Sequence, residues 1–139
     1  MPKKTSSTRR KLTVQELRDL DLEISFMEGL LKRDPHHLEA LQILGDDYTR
    51  RERFDEGLRV DELLCQLRPE DPIAQYNLAC SYSLTRQCEL AVAALNAAIN
   101  LGYTDFKGMA KDPDLQFLRE HDGYKKIQAK IRRLAVKEL

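Results

Sequence analysis

The side chains best suited to chemistry are three histidines, three cysteines and a pair of aspartates, and their spacing limits what they could do. His36 and His37 are adjacent at a predicted helix start, so their side chains diverge, and His121 is far away in sequence. A metal site needs ligands that converge, usually two on one helix face at i and i+4 or in a tight turn. The histidines therefore predict no metal site.

The cysteines and aspartates are also poorly placed for chemistry. Cys65, Cys80 and Cys88 form neither a metal-binding spacing nor a paired framework. Their odd number indicates reduced thiols in a reducing compartment. Asp112 and Asp114 are separated by a proline, which is a poor match to a calcium loop, and helix capping explains them better. The same residues thus predict local structure and no active site.

Two further absences bear on enzyme activity. The sequence contains no glycine-rich loop that could hold a phosphate, and no feature singles out a pair of carboxylates for acid–base work. We therefore predict that the chain is not an enzyme. It is expected to have no catalytic residue, no metal, no cofactor and no small-molecule substrate.

The elements that carry these residues show a pattern that returns after 34 positions. Two runs define it: Leu44-Gly45-x-x-Tyr48 and Leu78-Ala79-x-x-Tyr82. Pro35 returns in the same way as Pro69. A fixed period of this size is typical of stacked repeats, because one unit cannot bury its apolar face alone.

The pattern resembles the tetratricopeptide repeat (TPR) over roughly residues 38–103. The resemblance implies an all-α fold, a right-handed superhelical stack of antiparallel helix hairpins with flanking capping helices. This sequence departs from the family at three positions. Asp61 stands where an aromatic residue is usual, Gln75 at a usual Trp or bulky position, and Tyr103 in place of the closing proline. Asp61 is therefore expected to be exposed or paired.

The predicted organisation is a basic, disordered tail over residues 1–12 and a single TPR-like domain over 13–139. Its parts are an N-terminal half-repeat helix at 13–33, repeats at 38–71 and 72–105, and degenerate capping helices at 106–139. The run G-Y-x-D followed by D-P-D-L-x-x-L-R, between positions 102 and 119, is similar to the closing segment of many bacterial TPR proteins. That similarity implies a cap on the stack and a bacterial source.

The resemblance also implies where a partner would bind, since the first helix of each TPR hairpin lines a concave groove. The implied groove residues are Gln42, Ile43, Asp46, Arg50, Ile73, Tyr76, Asn77, Cys80 and Ser83. Tyr76 and Asn77 are the leading contacts, because Tyr offers a large rigid area and Asn can bond a peptide backbone. The alternative is that Tyr76 packs on the neighbouring hairpin. Asp46 would repel a carboxylate, so the carboxylate clamp of one TPR subset is predicted to be absent.

Charge is unevenly distributed although the chain is formally neutral. Residues 1–11 carry +5, residues 122–139 carry +4 and the remainder carries −9. Basic ends could contact nucleic acid or a membrane surface, but a solubilising tail and a solvated helix face are the favoured interpretation.

The predicted function is an adaptor or scaffold that binds a protein or peptide. The alternatives are a homo-oligomeric assembly module and an accessory protein that acts through its basic ends. No secretory signal or membrane span is recognisable, so cytoplasmic residence is expected.

Overall fold

A computed structural model describes residues 10–137, and every regular element in that range is helical. The elements are α1 (Val14–Arg33), α2 (Leu38–Arg50), α3 (Phe54–Leu67), α4 (Pro72–Leu84), α5 (Cys88–Asn100), α6 (Phe106–Lys111), a 3-10 turn (Pro113–Leu115), α7 (Gln116–Arg119) and α8 (Gly123–Lys137). The predicted all-α class is confirmed. Residues 1–9 of the predicted disordered tail lie outside the described residues.

Local signals in the sequence explain where the helices begin. The Thr13 hydroxyl accepts the Glu16 N–H at 3.1 Å and caps α1. The Asp71 carboxylate accepts the Ile73 N–H at 2.9 Å, and Pro72 occupies the first turn of α4. Such caps satisfy amide groups that have no partner within the helix. The turn after α5 contains Gly102 at a φ of 111°, a conformation that glycine adopts without strain.

Successive helices pack on one another along the chain, which is the arrangement of an α solenoid. Helix α1 packs on α2, α2 on α3, α3 on α4 and α4 on α5. The pairs α2–α3 and α4–α5 fall within the ranges 38–71 and 72–105, and the assignment of these ranges as repeat units stays a prediction.

Small residues allow the helices of the first pair to approach closely. A Cβ atom added to Gly45 on α2 would lie 3.2 Å from Asp61 Oδ1 and 3.3 Å from Val60 Cγ1 on α3. In the second pair, the corresponding small residues Ala79 and Ala91 are fully buried. The repeated small residues thus act as the points of helix contact.

The segment after α5 is part of the core. Met109, Leu115 and Leu118 are completely buried, and they join a cluster formed mainly by α4 and α5. The 3-10 turn and α7 contact α4, while α8 contacts α5. A second apolar cluster connects α1, α2 and α3 through residues such as Leu20, Leu44 and Leu64.

Candidate functional site

A groove lies between α2 and α4, with α3 beneath it. The principal lining residues are Gln42, Asp46 and Thr49 from α2, Asp61 and Leu64 from α3, Arg68 and Asp71 from the α3–α4 turn, and Ile73, Asn77, Cys80 and Leu84 from α4. The lining therefore combines side-chain amides, carboxylates, one guanidinium group and aliphatic carbons. These groups can bond a peptide backbone and also contact apolar side chains.

Five of the predicted groove residues line this groove, whereas four do not. Those that line it are Gln42, Asp46, Ile73, Asn77 and Cys80. Ile43 and Arg50 are on α2 but outside the lining, and Tyr76 and Ser83 are buried elsewhere on α4. The role of the five as partner contacts stays a prediction.

Tyr76 is 1% exposed and packs against the chain's own closing segment. Its ring stacks on Tyr103 with 4.2 Å between ring centroids, and its hydroxyl donates to Asp112 at 2.9 Å. Burial is the largest cause that raises the pKa of this phenol above its ordinary value. Tyr76 therefore does not line the groove; its ring packs on the closing segment, whereas the predicted alternative was packing on the neighbouring hairpin.

Ser83 has a similar structural position. It is fully buried, and its hydroxyl accepts the Leu118 N–H at 3.3 Å. Sequence reasoning missed this contact because the partner lies 35 residues away, in a segment without the repeat pattern.

Asp61 lies at the floor of the groove and is paired. It is 7% exposed, and it accepts a hydrogen bond of 2.5 Å from the Ser81 hydroxyl on α4. Of the two expectations for this residue, exposure and pairing, the structure shows pairing. The departure from the usual aromatic residue thus places a carboxylate under the groove and joins α3 to α4.

Cys80, Asp112 and Asp114 place three possible metal-ligand atoms within 4.8 Å of one another. Asp112 is already engaged, since it accepts from the Asp114 N–H at 3.0 Å and from the Tyr76 hydroxyl at 2.9 Å. The first of these bonds caps the 3-10 turn, as the sequence predicted for this aspartate. The geometry is that of a buried hydrogen-bond network, and the expectation of no metal stays a prediction.

The interface of α1 with α2 contains a further buried carboxyl, which the sequence did not indicate. Asp47 is 2% exposed, and its carboxyl lies beside that of Glu23 on α1. Burial, followed by the neighbouring carboxylate of Glu23, raises the pKa of Asp47 to about 8. On the same interface, the Tyr48 hydroxyl donates to Glu28 at 2.5 Å.

The basic C-terminal end forms one helix whose outward side carries exposed cations. Lys125, Lys126, Arg132 and Arg133 are exposed on α8. Lys130 instead donates to Asn96 at 2.6 Å and also to Asn100, so it attaches α8 to α5. No helix among residues 10–137 combines the length and apolar character needed to cross a membrane.

Comparison with known proteins supports the helical-repeat interpretation. No family model matches the chain. It is 35% identical over 99 residues to a chloroplastic protein from Arabidopsis thaliana, a match that covers 68% of this chain and 30% of the relative. It is 31% identical over 90 residues to the peroxisomal targeting signal receptor of Komagataella phaffii, covering 63% of this chain and 16% of the receptor.

The second relative contains tetratricopeptide repeats, so the similarity supports a TPR-like helical repeat here. The chain spans less than a third of the first relative and less than a fifth of the second. The relatives give no support to the bacterial type of closing segment or to a bacterial source.

Proposed function

We propose that this protein is a non-enzymatic interaction module that holds a peptide or a helix of a partner protein in the groove between α2 and α4. The observation that carries the proposal is the lining of this groove, where Gln42 and Asn77 accompany the aliphatic side chains of Ile73 and Leu84. Amides that both donate and accept suit a peptide backbone, and neighbouring apolar atoms suit its side chains. Similarity to a TPR-containing receptor supports a protein partner.

The test is affinity capture from a lysate of the source organism with three baits. The first is wild type and the second is Gln42→Ala/Asn77→Ala, which truncates the groove amides. The third is Gln66→Ala/Gln128→Ala, which truncates two exposed amides outside the groove. A partner held by wild type and the third bait, and lost by the second, is the expected result. Equal capture by all three baits would contradict binding in the groove.

A homo-oligomeric assembly module is the second candidate, and two exposed apolar side chains on α1 favour it. Leu22 and Phe26 are 70% and 64% exposed, and they lie one helical turn apart. Sedimentation velocity at rising protein concentration tests this candidate. Self-association that Leu22→Gln/Phe26→Gln abolishes, and that Leu90→Gln on α5 leaves intact, would support it. A strictly monomeric wild type would exclude it.

Contact with nucleic acid or a membrane through the basic ends is the remaining candidate. The exposed cations of α8 favour it, and such binding would weaken steeply with added salt because it releases counterions. We propose the cytoplasm as the compartment, because Cys65, Cys80 and Cys88 form no disulfide with one another in the described part of the chain. The alternative compartment is the chloroplast, because the name of the Arabidopsis relative gives that location for the relative.

A further inference from the structure

The groove between α2 and α4 is lined by more negative than positive groups. Asp46, Asp61 and Asp71 supply three carboxylates, and Arg68 supplies the one guanidinium group among the lining residues in the described part of the chain. The surrounding chain from residue 12 to residue 121 carries a net charge of −9, with 12 basic and 21 acidic residues. The groove therefore lies in a field that attracts cations.

The charges are not spread evenly along the groove. The turns between α2 and α3 and between α3 and α4 are short, so successive helices are antiparallel and α2 and α4 run in the same direction. Thr49 and Leu84 lie at the C-terminal ends of these two helices. Both helix ends carry partial negative charge, whereas Arg68 lies next to the N-terminus of α4. The middle of the groove, where Asp46 and Asp61 lie, thus favours a positive group.

We infer that the groove takes an extended segment that carries a lysine or arginine, with the cation against Asp46 and the backbone between the amides of Gln42 and Asn77. The inference rests on the proposed groove function and specifies the chemistry of the partner. Asp46 is half-buried in the groove wall, so a cation that reaches it leaves bulk water and forms a stronger ion pair than one on an open surface.

The same charges argue against two other classes of occupant. A segment that ends in a free carboxylate beside Asp46 would bring two negative charges together, and a phosphate backbone would meet three carboxylates. Selectivity for a basic segment then arises from repulsion of acidic segments as well as from attraction.

The test is selection of binders from a displayed library of random dodecapeptides with parallel baits. Wild type is compared with Asp46→Asn, which removes the charge and keeps the shape, and with Glu89→Gln, which removes an exposed carboxylate of α5 outside the groove. Gln42→Ala/Asn77→Ala serves as the groove-amide variant. The readout is the frequency of lysine and arginine at each position of the aligned binders.

The expected result is at least a threefold enrichment of lysine and arginine at one position with wild type and Glu89→Gln, and its loss with Asp46→Asn. Binders that require Gln42 and Asn77 but show no basic position, or that keep it with Asp46→Asn, would overturn the inference and leave the groove function standing. Binders indifferent to Gln42 and Asn77, or no binders at all, would contradict both.

Discussion

At position 45 a side chain has almost no room. A Cβ atom there would lie 3.2 Å from Asp61 and 3.3 Å from Val60, so Gly45→Leu should destabilise the fold by about 1–3 kcal/mol through overpacking. Gly29 on α1 is the matched control, because a Cβ atom there has no neighbour within 4 Å. Gly29→Ala should raise stability by about 0.5–1 kcal/mol through its higher helix propensity. Urea denaturation measures the free energy of unfolding of both variants. An unchanged value for Gly45→Leu would contradict the close contact of α2 with α3 at this position.

The Asp61–Ser81 hydrogen bond gives a second residue-scale prediction. Asp61→Leu alone leaves the Ser81 hydroxyl buried without this acceptor, which should cost about 1–3 kcal/mol. Asp61→Leu/Ser81→Ala removes both polar groups and should recover most of that loss. A double-mutant cycle by chemical denaturation measures the coupling between the two sites. Simple additivity of the two substitutions would show that the pair contributes nothing.

At the scale of elements, the contact of α1 with α2 should depend on pH. The folded state favours protonated Asp47, so its stabilisation is complete below the ordinary pKa of about 3.9 and is lost as the pH rises through about 8. Glu23 and Asp46 raise this pKa and Arg50 opposes them. Asp47→Asn, which keeps the shape of the protonated carboxyl, should therefore exceed wild type in melting temperature by a margin that is larger at pH 9 than at pH 5.

Thermal denaturation monitored by circular dichroism at the two pH values measures this difference. Glu39→Gln is the control, because it removes an exposed carboxylate from the same helix. The control should follow wild type at both values. A melting temperature of Asp47→Asn that falls with pH as steeply as that of wild type would show that Asp47 does not titrate in this range.

The closing segment provides the other element-scale prediction. Leu118 on α7 is fully buried, and Leu118→Ala should cost about 2–5 kcal/mol by leaving a cavity. Its neighbour Phe117 is 40% exposed and lies under the Arg86 guanidinium group, so Phe117→Ala should cost about 1 kcal/mol or less. The free energy of unfolding, measured in urea, checks both variants. A similarly small loss of stability in Leu118→Ala and Phe117→Ala would mean that the closing segment only covers the surface.

At the scale of the whole molecule, local signals predicted the helices well. Asp71 and Pro72 predicted the start of α4, and Gly102 predicted the end of α5. Both helix ends lie within two residues of the predicted positions. The resemblance to the TPR family also predicted Gln42 and Asn77 as groove residues, and both line the groove. Helical periodicity and capping act over a few residues, and a sequence records them directly.

The contacts that sequence reasoning missed are those made by the closing segment. Tyr76 and Ser83 lie at helix positions where groove residues are expected. Residues 112–118, which are more than thirty positions further along the sequence, pack on both. The pairing of Asp61 with Ser81 also depends on where α3 and α4 meet. Such contacts depend on tertiary packing, which no periodic pattern specifies.

Binding of the partner in the groove between α2 and α4 can be located by amide NMR mapping with a selected dodecapeptide, because each backbone N–H reports on its own surroundings. The largest shift changes should fall on residues 42–49 and 73–84 and should be absent in Gln42→Ala/Asn77→Ala. Changes confined to α8 or to the outward face of α1 would contradict binding in the groove and place binding at the ends of the stack.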